Sequence, residues 1–258
     1  MRPVQPSLPS SESPTVSGSI SNWWREQSAR EGVIPTCGKF LRIVGEFLRD
    51  STRARRRQRF GDADFDWERR VNTTGGTVSS RDRFLGMFHS PYQPTEPSLF
   101  AEMMDAVALL SGDKAFGDFT FVDIGSGKGR ALLLAADYPF RRIVGVELLP
   151  ELDRIAKDNI ANYKSVCQKC FAIESISGDA SQFQFPNEPM LVYLFNPLPE
   201  AGLRKTIANL VRSLRDCPRT IYILYHNPLL ERVLAESSSL RKVGGTYQYA
   251  IYSNEKIN

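Results

Sequence analysis

The chain has little cysteine and little histidine, four and two residues respectively among 258. Cys37, Cys167, Cys170 and Cys217 are too few and too scattered to staple a disulfide-dependent fold, and they suit a reducing compartment. Cys167 and Cys170 form a C-x-x-C pair, but no second pair exists and His89 and His226 lie far away in sequence. The four-ligand spacing of a structural zinc site is missing, so no metal is expected. Long apolar runs are missing too. Nothing approaches the roughly 18 consecutive apolar residues that span a bilayer, and the chain does not start with a basic stretch followed by an apolar block. The expectation is a soluble, cytoplasmic protein without integral membrane association. A large charge of one sign is also absent: the formal net charge is +4, and Arg53, Arg55, Arg56, Arg57 and Arg59 supply much of the excess within one short run. Such a run is either a solvated helix face or flexible arm, or the contact for an anionic partner such as RNA, which Trp23 and Trp24 would assist.

Residues 1–20 lack large apolar side chains and are rich in Pro and Ser, so they cannot bury enough surface to offset the entropy of ordering; a disordered tail is expected. From Trp23 to about Leu48 the apolar density rises. Phe40, Leu41, Val44, Phe47 and Leu48 recur at helical spacing beside Lys39, Arg42 and Arg49, which predicts an amphipathic helix leading into the arginine run. Phe60 to Ser90 mixes Gly, Asp, Thr and aromatics without a period and reads as irregular. The chain thus divides into a tail at 1–20, a helical and irregular extension at 21–90, and a main domain at 91–258.

Pro97 marks a first helical turn, and Leu99, Phe100, Met103, Val107 and Leu110 form an apolar stripe ending near Ser111-Gly112. After Gly117 short apolar runs alternate with helical patterns, the signature of strands joined by crossover helices. The expected strands are Phe119–Ile124, Arg142–Glu147, Phe171–Ile176, Leu191–Asn196, Ile221–His226, a weaker one at Leu240–Val243, and Tyr247–Ser253. Helices are expected near 128–137, 149–163, 200–215 and 228–236. The predicted fold is α/β: a doubly wound, mostly parallel seven-stranded sheet with helices on both faces, its last two strands a hairpin, preceded by a helical extension.

One run carries chemistry. Asp123-Ile124-Gly125-Ser126-Gly127-Lys128-Gly129 puts three glycines where a strand turns into a helix, where positive φ is needed and a ligand approaches backbone closely. Spacing separates the cofactors that use such a turn. A dinucleotide loop needs glycine at the sixth position from Gly125, which is Arg130, and a phosphate loop needs Ser or Thr after Gly-Lys, where Gly129 stands.

Val122-Asp-Ile-Gly-Ser-Gly-Lys-Gly resembles the first motif of the class I S-adenosylmethionine-dependent methyltransferases. Glu147, closing the next strand, stands where a carboxylate receives both ribose hydroxyls. Gly178-Asp179-Ala180 follows the third strand and Asn196-Pro197 the fourth, so four consecutive strand ends carry the expected residue types. The resemblance implies S-adenosylmethionine as cofactor. Asp123 would organise the loop near the methionine amino group, Gly125, Ser126 and Gly127 would approach the amino acid portion, Glu147 would hold the ribose, and Asp179 with Ala180 would lie at the adenine. Tyr92 and Thr95, ahead of the Pro97 helix, are expected cofactor contacts, because that segment closes over the methionine end in the related non-SET histone-lysine methyltransferases. The chain resembles uncharacterised bacterial members of that neighbourhood.

Asn196-Pro197-Leu198-Pro199 loosely resembles the Asn-Pro-Pro-Tyr element by which some amino-group methyltransferases hold a nitrogen. Leu198 and Pro199 depart from it, but an Asn carbonyl still accepts a hydrogen bond from an amine, so Asn196 is the expected acceptor-orienting residue. The implied activity is methyl transfer to a nitrogen, on a protein or other macromolecule. The alternatives are transfer to RNA or a small molecule, and a non-catalytic binding module that retains the fold.

Overall fold

Four apolar runs become the centre of one sheet because both of its faces are covered, and a fifth forms one edge. The computed structural model describes residues 21, 24–25, 27–30, 32–50, 63–74, 94–112 and 116–255. The tail at 1–20 and the arginine run at 53–59 lie outside the described residues. Strands β1 (Thr120–Ile124), β2 (Arg142–Glu147), β3 (Ile173–Ser177), β4 (Met190–Phe195), β5 (Ile221–His226), β6 (Arg241–Gly245) and β7 (Tyr249–Ser253) lie in the order β3-β2-β1-β4-β5-β7-β6. The first five are parallel, and β7 runs antiparallel to both β5 and β6. The expected terminal hairpin is therefore present, and it covers the β5 edge with β7.

Seven helices among the described residues surround or precede the sheet: α1 (Val33–Asp50), α2 (Ala63–Arg69), α3 (Pro97–Ser111), α4 (Arg130–Ala135), α5 (Pro150–Asn162), α6 (Glu200–Asp216) and α7 (Glu231–Ala235). None is long and apolar enough to cross a membrane. Alternation along the strands splits the core into two layers. Phe121, Leu191, Tyr193 and Leu224 pack on one face with Phe100, Met103 and Met104 of α3 and Leu132 and Leu133 of α4. Val122, Ile124, Val192, Leu194 and Ile223 pack on the other with Leu203, Ile207 and Leu210 of α6 and Leu234 of α7. Pro97 opens α3 as expected, and the Glu96 carboxylate caps it by accepting from the Ser98 and Leu99 amides.

Four boundaries differ from the sequence expectation. α4 is shorter than 128–137 because Gly127 and Gly129 hold positive φ and keep residue 128 in the turn. α7 begins later than 228 because Asn227 at φ 48° and Pro228 turn the chain first. β3 begins later than Phe171, whose side chain is exposed, after the Cys170 amide has bonded the Ala136 carbonyl. The fourth is the most instructive: α2 stands inside a stretch that reads as irregular. It has no stripe of its own, and side-chain bonds to α4 and to residues 73 and 74 hold it instead.

Candidate functional site

The carboxyl edge of β1, β2, β4 and β5 gathers most of the singled-out residues. At β1 the chain leaves Asp123 and turns sharply, with the Gly125 and Ser126 amides both bonded to the Val146 carbonyl of β2 at 2.8 and 3.2 Å. Gly125 has φ 76°, and a Cβ there would lie 2.3 Å from Pro197 Cβ, so the loop after β1 and the Asn196-Pro197 segment after β4 touch only because this residue is glycine. On the other side, Gly145 of β2 makes room for Ser126, whose Oγ would be 2.7 Å from an added Cβ.

Two buried carboxylates face this turn. Asp123 is 3% exposed, and no hydrogen-bond donor reaches its carboxylate among the described residues. Burial pushes its carboxyl well above the usual carboxylate range, and the neighbouring Glu147 charge adds to the shift. Glu147 is also raised by burial, but it is partly compensated, accepting from the Gly127 amide at 2.8 Å and the Leu149 amide at 2.9 Å. It is not a partner of Arg142, which pairs with Glu188 and Glu174 at the opposite end of β2. Glu147 thus braces the glycine turn while keeping lone pairs for a further donor.

The two basic residues of the glycine run have a structural task. Lys128 and Arg130 are 0% and 1% exposed, and both reach back to the extension. Lys128 Nζ donates to the Thr74 carbonyl at 2.6 Å and the Asn72 Oδ1 at 3.3 Å, and burial lowers its pKa to about 8. Arg130 Nε donates to Thr73 Oγ1, its guanidinium pairs with Asp66 at 3.4 Å, and it lies 4.2 Å from the Phe65 ring centre. Asp66 in turn accepts from the Thr73 and Thr74 amides at 2.9 and 2.7 Å. Asn159 of α5 completes the strap, donating to the Asn72 and Lys128 carbonyls and accepting from the Asn72 amide. Sequence reading missed Asp66, Asn72, Thr73, Thr74, Lys128, Arg130 and Asn159 as a group. The single available signal was a pair of charges inside a glycine loop, which ordinarily stays small.

The β4 and β5 ends are tied to each other. Asn196 has φ 45°, and its amide is engaged: Nδ2 donates to the Asn227 carbonyl at 2.6 Å and Oδ1 accepts from the Tyr225 hydroxyl at 3.0 Å. It ties the two strand ends together. Asn227, also at positive φ, bonds the Gln248 carbonyl through its amide and so links this tie to the β6–β7 hairpin. Beneath lies a buried chain that the sequence did not reveal: Thr95 Oγ1 is 2.9 Å from the Tyr193 hydroxyl, which is 2.8 Å from His226 Nδ1. Burial lowers the His226 pKa to about 4, and its ring stacks on Phe195 at 3.8 Å. Thr95 is therefore buried at the carboxyl edge but bonded to β4, while Tyr92 lies outside the described residues.

After β3, Asp179 caps a short 3-10 turn at Ala180–Gln182 by accepting from the Ser181 amide at 2.8 Å, and Ala180 is buried in the second core layer. The Cys167 and Cys170 side chains part company, one exposed and one buried.

No protein-family model matches the chain, and no curated protein sequence matches it. Solved structures with a similar chain path include magnesium protoporphyrin IX methyltransferase from Synechocystis PCC 6803 with bound SAM, at 14% identity over 76% of this chain and 92% of that one, with a TM-score of 0.43. Ribosomal protein L11 methylase from Lactobacillus delbrueckii subsp. bulgaricus is 15% identical over 63% and 79%, also at 0.43. A SAM-dependent methyltransferase from Aquifex aeolicus is 14% identical over 62% of this chain and 98% of its own, again at 0.43. At these identities the chain is similar to them in path alone.

Proposed function

We propose that this chain transfers a methyl group from S-adenosylmethionine to a nitrogen on a protein or other macromolecule, using residues 91–258 as the catalytic domain. One observation carries the reading. Asp123 is a buried carboxylate without a donor among the described residues, at the mouth of a positive-φ glycine turn and one strand from a second buried carboxylate. Such a group is costly unless a ligand brings a cation to it. The methionine ammonium suits Asp123, and the ribose hydroxyls suit the remaining lone pairs of Glu147. Gly125, Ser126 and Gly127 would line the amino acid portion, Asp179 and Ala180 the adenine, and Tyr92 and Thr95 the methionine end.

When bound, the sulfonium supplies a methyl carbon already activated for in-line displacement. The chain then has to align the acceptor and exclude water. Asp123 would hold the methionine ammonium from β1, Glu147 would hold the ribose from β2, and the strap at residues 66–74 holds the glycine turn between them. Asn196 keeps the β4 and β5 ends together, and so acts on the acceptor through the backbone rather than by its amide.

Calorimetry tests the cofactor half. S-Adenosylmethionine is expected to bind the full chain, and Asp123→Ala combined with Glu147→Ala is expected to abolish binding while the fold persists by circular dichroism. Wild-type chain that binds none, or a double variant that binds as well, overturns the reading. Labelled methyl transfer to total cellular protein and total RNA separates an enzyme from a binding module.

A further inference from the structure

Resting on that reading, we propose that His226 is the group that receives the acceptor: its Nε2 lone pair takes a hydrogen bond from an uncharged nitrogen bearing an N–H, of the amide or arylamine type.

The position follows from register. Asp123, Tyr193 and Leu224 are direct neighbours across β1, β4 and β5, so they share one face of the sheet. Phe195 and His226, mutual partners two residues further along, share that face and stand one layer closer to the carboxyl edge. His226 is therefore two strand spacings, about 10 Å, from the strand carrying the buried carboxylate of the cofactor site. The edge runs in order from Asp123 past Phe195 to the imidazole.

The ring is held from one side. Nδ1 is bonded to Tyr193, which is bonded to Thr95, and Phe195 stacks on the ring face. Nε2 has no partner among the described residues, although the side chain is 94% buried by its 6% exposure. The neighbouring Asn196 amide already bonds the Asn227 carbonyl and the Tyr225 hydroxyl. In the arrangement proposed, Nδ1–H donates to the Tyr193 oxygen, the Tyr193 hydroxyl donates to Thr95 Oγ1, and Nε2 is left as an acceptor.

The acceptor class follows from the imidazole. Burial keeps it neutral, with its pKa down at about 4, so it cannot take the proton of an alkylammonium, whose ordinary value lies near 10. The nitrogen must arrive uncharged. Its lone pair forms the new N–C bond as the C–S bond breaks and that pair returns to sulfur. The N–H stays directed at Nε2 during transfer, and the extra proton leaves to water on release.

A pair of substitutions reads the role, because an Asn amide reaches the Nδ1 position and a Gln amide the Nε2 position. His226→Asn is expected to keep S-adenosylmethionine affinity within about two-fold and to lose methyl transfer by about 100-fold, the scale of a misplaced reactant. His226→Gln is expected to retain most of the transfer. A purely structural task through Tyr193 predicts the reverse ranking, which would overturn the proposal. In 15N-histidine spectra, with His89→Gln as the assignment control, Nε2 of His226 is expected in the unprotonated state; a protonated Nε2 overturns it. Label recovered on lysine or arginine rather than on amide or arylamine nitrogens, from total RNA and total cellular protein as acceptors, also overturns it. A wild-type chain that binds cofactor and labels nothing sinks the enzymatic reading and this role together, whereas an active wild type matched by an active His226→Asn sinks only the role of His226.

Discussion

The two halves of the carboxyl edge are built by different means. Around β1 and β2 the glycine turn is clamped by charge: Lys128 and Arg130 are buried, and with the half-buried Asp66 they are tied to residues 72–74 and to Asn159. Around β4 and β5 the turns are held by neutral groups, with Asn196 and Asn227 at positive φ and the exposed side chains of Leu229 and Tyr247 nearby in sequence. A clamped half suits a ligand whose shape never changes, and an open rim suits a variable one. Their titration differs as well. Burial holds protons on Asp123 and Glu147 and keeps them off His226, so the two halves respond to pH in opposite senses.

The largest break in this comparison is Asp66→Ala. It strands the buried Arg130 guanidinium and removes the acceptor for the Thr73 and Thr74 amides, and is expected to cost about 3 kcal/mol in chemical denaturation. The same loss after Asn196→Ala would mean that the halves are not built differently after all. Next comes Asp123→Asn. It is expected to lower S-adenosylmethionine affinity by about 100-fold in calorimetry, the scale of a lost charged hydrogen bond. The same substitution replaces a group whose ionisation burial disfavours, so thermal melting of the ligand-free chain should rise, by about 2–4 °C; a fall would show that Asp123 is internally compensated.

A pH series sharpens the contrast. Above the ordinary carboxylate range the unfolded chain has released protons that native Asp123 and Glu147 still hold, so their contribution to stability falls as pH rises through that window. Between about 6.5 and about 4 the unfolded chain protonates His226 while the native chain does not, so that contribution falls as pH drops. Denaturation of His226→Gln should flatten the acid limb alone, and Asp123→Asn the limb at higher pH. The smallest effect is expected for Asn227→Gly. Its φ of 48° is met by glycine without strain and its hydrogen bonds to Gln248, Leu229 and Asn196 are made by its backbone, so stability should change by less than about 1 kcal/mol. Asn227→Val, which cannot adopt that φ cheaply, should cost more.

Much of the fold was legible because it rests on local signals. The runs ending at Ile124, Glu147 and His226 are apolar enough to be buried on both faces, and each became a strand at the expected place. Pro97 and the stripe from Leu99 to Leu110 marked α3. The acidic residues at the ends of β1 and β2 were legible by spacing. α2 was not, because its stability is supplied by Arg130 and by residues 73 and 74. Tyr193 and His226 were invisible for a similar reason: each is one more residue in an apolar strand until the register brings Thr95 and Nδ1 to the same hydroxyl.

The sequence by itself determined the seven-stranded α/β plan, the glycine turn and the two carboxylates beside it, since periodicity and turn chemistry act over a few residues. The tertiary structure alone decided what the polar side chains do. It turned Lys128 and Arg130 into anchors for the strap, used the Asn196 amide in a strand-end tie, and left His226 Nε2 without a partner among the described residues. A hydrogen bond such as that between Thr95 and Tyr193 depends on the distance between residues 98 apart in the chain, and such distances exist only once the sheet has formed.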